Sequence, residues 1–85
     1  MELLNLFQQA VADSKTPSQK PSNDTLLKLY SLYKQGTEGD QSGEGPANPF
    51  DFVARAKFQA WTDLKGTTKE DAMQQYINLV NQLKG

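Results

Sequence analysis

The sequence predicts an all-α fold, a four-helix bundle, on three observations. Four segments repeat apolar residues at helical spacing, no stretch of useful length alternates as a strand does, and proline and glycine gather between the segments. Eighty-five residues make one small domain, 1–85. A chain of this size buries a modest fraction of its surface, so its stability has to come from efficient packing of a few elements.

The first helix is expected over about 3–14. Leu3, Leu6, Phe7, Ala10 and Val11 share one side, and Asn5, Gln8, Gln9 and Asp13 share the other. Lys15 follows at the C-terminal end, where a cation complements the exposed carbonyls. Thr16-Pro17-Ser18-Gln19-Lys20-Pro21 then ends the helix, because each proline disfavours helical geometry in the residue before it.

The second helix is expected over about 22–35, with Ser22 or Asn23 as N-cap, Asp24 in the first turn and Gly36 at the left-handed C-terminal position. Its stretch Leu26 to Gln35 carries more apolar surface than one packing face needs. At about 100° per residue, Leu26, Leu29, Tyr30 and Tyr33 cluster, Leu27 and Leu32 widen the arc on either side, and Lys28, Ser31 and Gln35 stand opposite. An ordinary surface helix shows a stripe somewhat wider than about 100°, and this arc spans roughly twice that. Either protein covers the helix on two sides, or part of the arc faces a ligand. Residues 36–49, with four glycines and two prolines, are expected to form a long surface loop.

The third helix, about 51–65, lines Phe52, Val53, Ala56, Ala60 and Leu64 along one side and Phe58 with Trp61 along another, Lys57 projecting between them. Gly66 closes it. Thr67 with Glu70, or Thr68 with Asp71, offers a capping box for the fourth helix, about 68–84, whose Ala72, Met73, Tyr76, Ile77, Leu79, Val80 and Leu83 share a face.

Composition removes several functions. Cysteine and histidine are absent, which excludes a disulfide frame and a thiolate site together with the commonest general base and zinc ligand. Nine Lys+Arg against ten Asp+Glu give a formal charge of −1, unlike the basic footprint of a nucleic-acid binder. No run approaches the roughly 20 apolar residues of a membrane span. The start MELLNLFQQA has Glu2 where a signal peptide is positive, so a cytoplasmic protein is expected. Glu70 and Asp71 are accounted for by capping, and no phosphate-cradling glycine loop or calcium-loop pattern is present, so no enzyme is expected. What remains is three tyrosines, Tyr30, Tyr33 and Tyr76, on or beside apolar faces, and two lysines, Lys34 and Lys57, bordering aromatic arcs on separate helices. A phenol in such a place needs a partner for its hydroxyl. Convergence of these groups suits an anionic ligand with an aromatic base and an apolar tail. The competing reading is a helical protein-interaction module that docks a partner helix on the second helix's wide arc.

Tyr30-Ser31-Leu32-Tyr33-Lys34-Gln35, followed by Thr37-x-Gly39-Asp40, resembles the YxxYKQAT-x-GD segment of the acyl-CoA-binding protein family. Phe52 and Ala56-Lys57-Phe58-x-Ala60-Trp61 resemble its DF…KAKWDAW segment, and Leu64 to Met73 with Tyr76-Ile77 and Val80 resemble its LKGTSKEDAM…YI..V segment. The matches stand in order over nearly the whole chain. The resemblance implies an up-down-down-up bundle that binds fatty-acyl-CoA thioesters without catalysing a reaction and without a cofactor. It implies that Tyr30, Tyr33, Lys34, Lys57, Tyr76 and Lys15 hold the adenine and the ribose 3′-phosphate, with the acyl chain in a groove beneath. A monomer with no nucleic-acid partner and no stable membrane insertion is expected. Val53 stands where many members have lysine, Phe58 where tryptophan is usual and Gly36 where alanine is usual. These departures bear on affinity and chain-length preference.

Overall fold

Short polar side chains start three of the four helices by accepting backbone N–H groups that the first turn leaves without intrahelical partners. The computed structural model describes residues 2–15, 21–41, 43, 45 and 50–84. It contains α1 (Glu2–Asp13), α2 (Asn23–Glu38), α3 (Phe52–Thr62) and α4 (Lys69–Lys84), and no strand among the described residues. Ser22 Oγ accepts from the Thr25 N–H at 3.2 Å, and Asp51 Oδ1 accepts from that of Ala54 at 3.1 Å. Of the two overlapping capping boxes, Thr68 supplies the cap, its Oγ1 accepting from the Asp71 N–H at 3.1 Å. The expected break at residues 16–20 and positions 42, 44 and 46–49 of the expected loop lie outside the described residues.

Two helix ends differ from the periodic expectation. α2 runs through Gly36 to Glu38, and the left-handed residue is Gly39, φ 82°, whose N–H donates to the Gln35 carbonyl. Gly36 serves close approach instead of capping. A Cβ there would sit 3.2 Å from Met73 Cγ and 3.5 Å from Phe7 Cζ, so the missing side chain lets α4 and α1 press on α2. α3 ends as a helix at Thr62. Residues 63–66 tighten into turns, with Leu64 N–H donating to Trp61 and Lys65 N–H to Thr62, before Gly66 at φ 96° reverses the chain.

α2 and α4 form the central pair, α1 packs on α4, and α3 packs on α2. Tyr30 meets Lys57 and Lys34 meets Trp61, so α2 and α3 run in the same direction. Tyr33 meets Tyr76 while Gly36 meets Met73, so α4 runs opposite to α2. This is the up-down-down-up bundle. The core is Phe7, Ala10, Leu29, Leu32, Ala72, Tyr76, Ile77 and Val80, drawn from α1, α2 and α4; α3 buries no residue fully. The wide arc of α2 therefore has two neighbours. Leu29, Leu32 and Gly36 are buried on the α4 side, and Leu26, Leu27, Tyr30 and Lys34 turn toward α3. No helix among the described residues is long and apolar enough to cross a membrane.

Candidate ligand-binding site between α2 and α3

The two parallel helices do not close on each other along their N-terminal halves. Between them lies an open trough of about 390 Å³, lined by Asn23, Leu26 and Leu27 of α2 and by Phe52, Val53, Ala56 and Lys57 of α3. Its walls are apolar yet wet: Phe52 is 70% exposed, Val53 65% and Leu26 44%. Side chains of this kind usually face protein or a ligand, and a contiguous exposed set marks a binding surface.

Lysines and aromatic rings stand at the C-terminal end of the trough. Lys57 Nζ lies 5.2 Å from the centroid of the Tyr30 ring. One turn further along α2, Lys34 Nζ lies 5.4 Å from the Trp61 ring and 2.6 Å from Glu38 Oε2. The Glu38 carboxylate is the main reason the Lys34 ammonium is held above its usual range. Trp61 is itself fixed, its indole N–H donating to the Gly39 carbonyl at 3.0 Å. Both cations thus rest over aromatic faces, an arrangement that orients an ammonium without neutralising it.

Tyr33 and Tyr76 belong to the other side of α2. With Phe7 they form an aromatic set: Phe7 and Tyr33 stack at 6.0 Å, Phe7 and Tyr76 meet edge-on at 5.2 Å, and Tyr33 and Tyr76 lie 6.4 Å apart. Tyr33 keeps 41% of its surface exposed, whereas Tyr76 is 4% exposed. The Tyr76 hydroxyl donates to Ser14 Oγ at 2.9 Å, and Ser14 Oγ donates to the Val11 carbonyl at 2.8 Å, which ties α4 to the end of α1. Burial pushes the Tyr76 phenol up, against the opposing effect of the Ser14 hydrogen bond. Lys15, exposed, follows Ser14 directly. The predicted residues therefore form two groups, Tyr30 with Lys57 and Lys34 on the α3 side, and Tyr33 with Tyr76 near Lys15 on the α1–α4 side. α2 links them through the adjacent Tyr33 and Lys34.

The sequence model described as Acyl CoA binding protein matches residues 5–80. This chain belongs to the acyl-CoA-binding protein family. It is 48% identical to the Dictyostelium discoideum acyl-CoA-binding protein over 94% of both chains. It is also 48% identical to acyl-CoA-binding protein homolog 1 of Caenorhabditis elegans, over 91% of this chain and 88% of that one. The crystal structure of acyl-CoA-binding protein 2 from Oryza sativa superposes with a TM-score of 0.89 at 38% identity, covering 95% of this chain and 89% of that one. The acyl-CoA-binding protein family is non-catalytic.

Within this family member, the segment Gln35 to Asp40 supports the site without lining the trough. Gln35 is fully buried; its amide donates to Thr67 O at 2.7 Å and to Asp40 Oδ1 at 2.8 Å. Asp40 Oδ1 also accepts the Gly66 N–H at 2.9 Å. The Gly66 N–H, then the Gln35 amide, hold the Asp40 carboxyl below its ordinary value. This knot joins the end of α2 to the turn after α3. No cluster of metal-binding side chains occurs among the described residues.

Asn23, Leu26, Leu27, Phe52, Val53 and Ala56 line the trough but are not among the candidate residues of the sequence, and neither is Glu38. The wide arc was the signal for the α2 residues. Nothing in the periodicity of α3 distinguishes an apolar side chain that is buried from one that stands open. For Glu38 the signal was its i+4 spacing from Lys34.

Proposed function

We propose that this chain binds medium- to long-chain fatty-acyl-CoA thioesters and carries or buffers them in the cytoplasm as a monomer, with no catalysis, nucleic-acid partner or stable membrane insertion. The reading is carried by one juxtaposition: an apolar trough that ends at lysines resting on aromatic rings. Lys34 and Lys57 meet phosphate through charge-assisted contacts. Tyr30 or Tyr33 offers a ring on which adenine stacks, worth about 1–3 kcal/mol. Tyr76 and Lys15 complete the head-group end from the α1–α4 side, with Tyr76 holding Tyr33 in place. The acyl chain lies on Leu26, Leu27, Phe52, Val53 and Ala56 and contributes roughly 0.8 kcal/mol per methylene buried. A helix-docking module is the weaker reading, because α4 and α3 already flank the arc that a partner helix would need.

Isothermal titration with butyryl-, octanoyl- and palmitoyl-CoA tests the proposal. Two added carbons contribute about 1.6 kcal/mol, more than tenfold in affinity, so affinity rises steeply until the trough is full. Free CoA and free palmitate each bind far more weakly than the thioester. Equal affinities along the series refute the trough as the acyl site, and palmitate binding as tightly as palmitoyl-CoA makes the chain a fatty-acid carrier.

A further inference from the structure

We propose that Glu38 is a resident counter-ion of Lys34, which the ligand's phosphate must displace, so that this carboxylate sets how tightly the anionic head group is held. The proposal rests on the reading of the α2–α3 trough as an acyl-CoA site. Lys34 has two partners already: Glu38 Oε2 at 2.6 Å and the Trp61 ring at 5.4 Å. The pair is partly open to solvent, with side-chain exposures of 29% and 52%, so an incoming anion has access to it. Lys57 differs, since the group beneath it is the neutral Tyr30 ring.

The helix dipole does not account for Glu38. It is the last residue of α2, immediately before the Gly39 cap, where the helix dipole disfavours an anion. Its favourable interaction is the bridge to Lys34, one turn back. Binding a phosphate at Lys34 then exchanges one anion for another, and any carboxylate that stays nearby repels the newcomer. The net contribution of Lys34 to affinity is the difference between the two ion pairs. An exposed pair of this kind is weak, so the phosphate wins the exchange and the carboxylate tempers affinity without blocking it.

Glu38→Gln keeps the size of the side chain and a hydrogen-bond acceptor while removing the charge. Titration of wild type, Glu38→Gln, Lys34→Ala and the double variant with palmitoyl-CoA separates the possibilities. Glu38→Gln is expected to bind about three- to fivefold more tightly than wild type at low ionic strength, with the gain shrinking as salt shortens the Debye length to about 8 Å near 0.15 M. In the Lys34→Ala background the same change is expected to alter affinity by less than about twofold. Unchanged or weaker binding by Glu38→Gln overturns the proposal. So does an equal gain in both backgrounds, which makes Glu38 a general repulsive charge with no tie to Lys34. Absence of palmitoyl-CoA binding by wild type removes the acyl-CoA reading itself, and this proposal with it.

Discussion

Two regions of the molecule use apolar side chains in opposite ways. In the layer of α1, α4 and α2, Phe7, Leu32, Ala72 and Val80 are at most 2% exposed. Aromatic contacts and the Tyr76–Ser14–Val11 chain of hydrogen bonds hold that layer together. α3 is as rich in aromatic residues, with Phe52, Phe58 and Trp61, but buries nothing fully and, among the helices, packs on α2 alone. Fully burying a Val or Phe side chain contributes about 1.5–3 kcal/mol. Leaving Phe52 and Val53 open forgoes that stabilisation in the free protein and leaves it available to an apolar occupant of the trough. Low local stability is expected of elements that serve binding.

The contrast can be broken most directly by paired truncations. Phe7→Ala is expected to destabilise the fold by about 3–5 kcal/mol, since it empties a packed core position. Phe52→Ala should change stability by no more than about 0.5 kcal/mol while weakening palmitoyl-CoA binding by about 1–3 kcal/mol. Chemical denaturation and titration on the same two variants check both halves; a large stability loss in Phe52→Ala erases the distinction. Hydrogen exchange sharpens it next. Amides of α3 should exchange faster than those of α4 in the free protein, and palmitoyl-CoA at about 100 times its Kd should protect them by up to about 2.7 kcal/mol. Uniform protection along all four helices in the free state contradicts the two-region picture.

Lys34→Ala comes third, with palmitoyl-CoA binding weaker by about 1.5–3 kcal/mol and an unchanged circular dichroism spectrum. Wild-type affinity in that variant takes Lys34 out of the site. Within the packed layer, Tyr76→Phe removes the donor to Ser14 and should cost about 1 kcal/mol in a thermal melt. The smallest effect concerns acid. Asp40 titrates lower in the folded chain than its ordinary 3.8. The unfolded chain therefore binds this proton more readily, and the associated stability is complete above the unfolded value and lost as pH falls through the folded one. Melting curves between about pH 5 and pH 3 should fall more steeply for wild type than for Asp40→Asn; parallel curves show that the knot does not depend on the charge.

Much of this architecture is legible in the sequence. Helical spacing located all four helices, and the caps at Ser22 and Thr68 were among the residues named for that role. The double-width arc of Leu26 to Tyr33 leaves two readings open, protein on both sides or a ligand on one; α4 and α3 flank it, and its α3 side stands open at the trough. The sequence singles out Lys57, Tyr30 and Lys34 on separate helices; Lys57 lies over the Tyr30 ring, and Lys34 one turn on lies over Trp61. The sequence pattern ends α2 at Gly36 rather than Gly39 because a glycine inside a close helix contact and a glycine at a left-handed cap look alike in one dimension; the nearness of Met73 and Phe7 separates the two.

Helix spacing and capping chemistry are local, since residues within a turn or two of one another decide them, and the chain carries them whatever surrounds it. Which apolar face is sealed and which stays open depends on groups far apart in the chain. Periodicity is identical for Val53, which stands at the trough, and Val80, which is buried. Only the packing of α4 against α2, and the failure of α3 to close on α2, assigns one to the core and the other to the open trough.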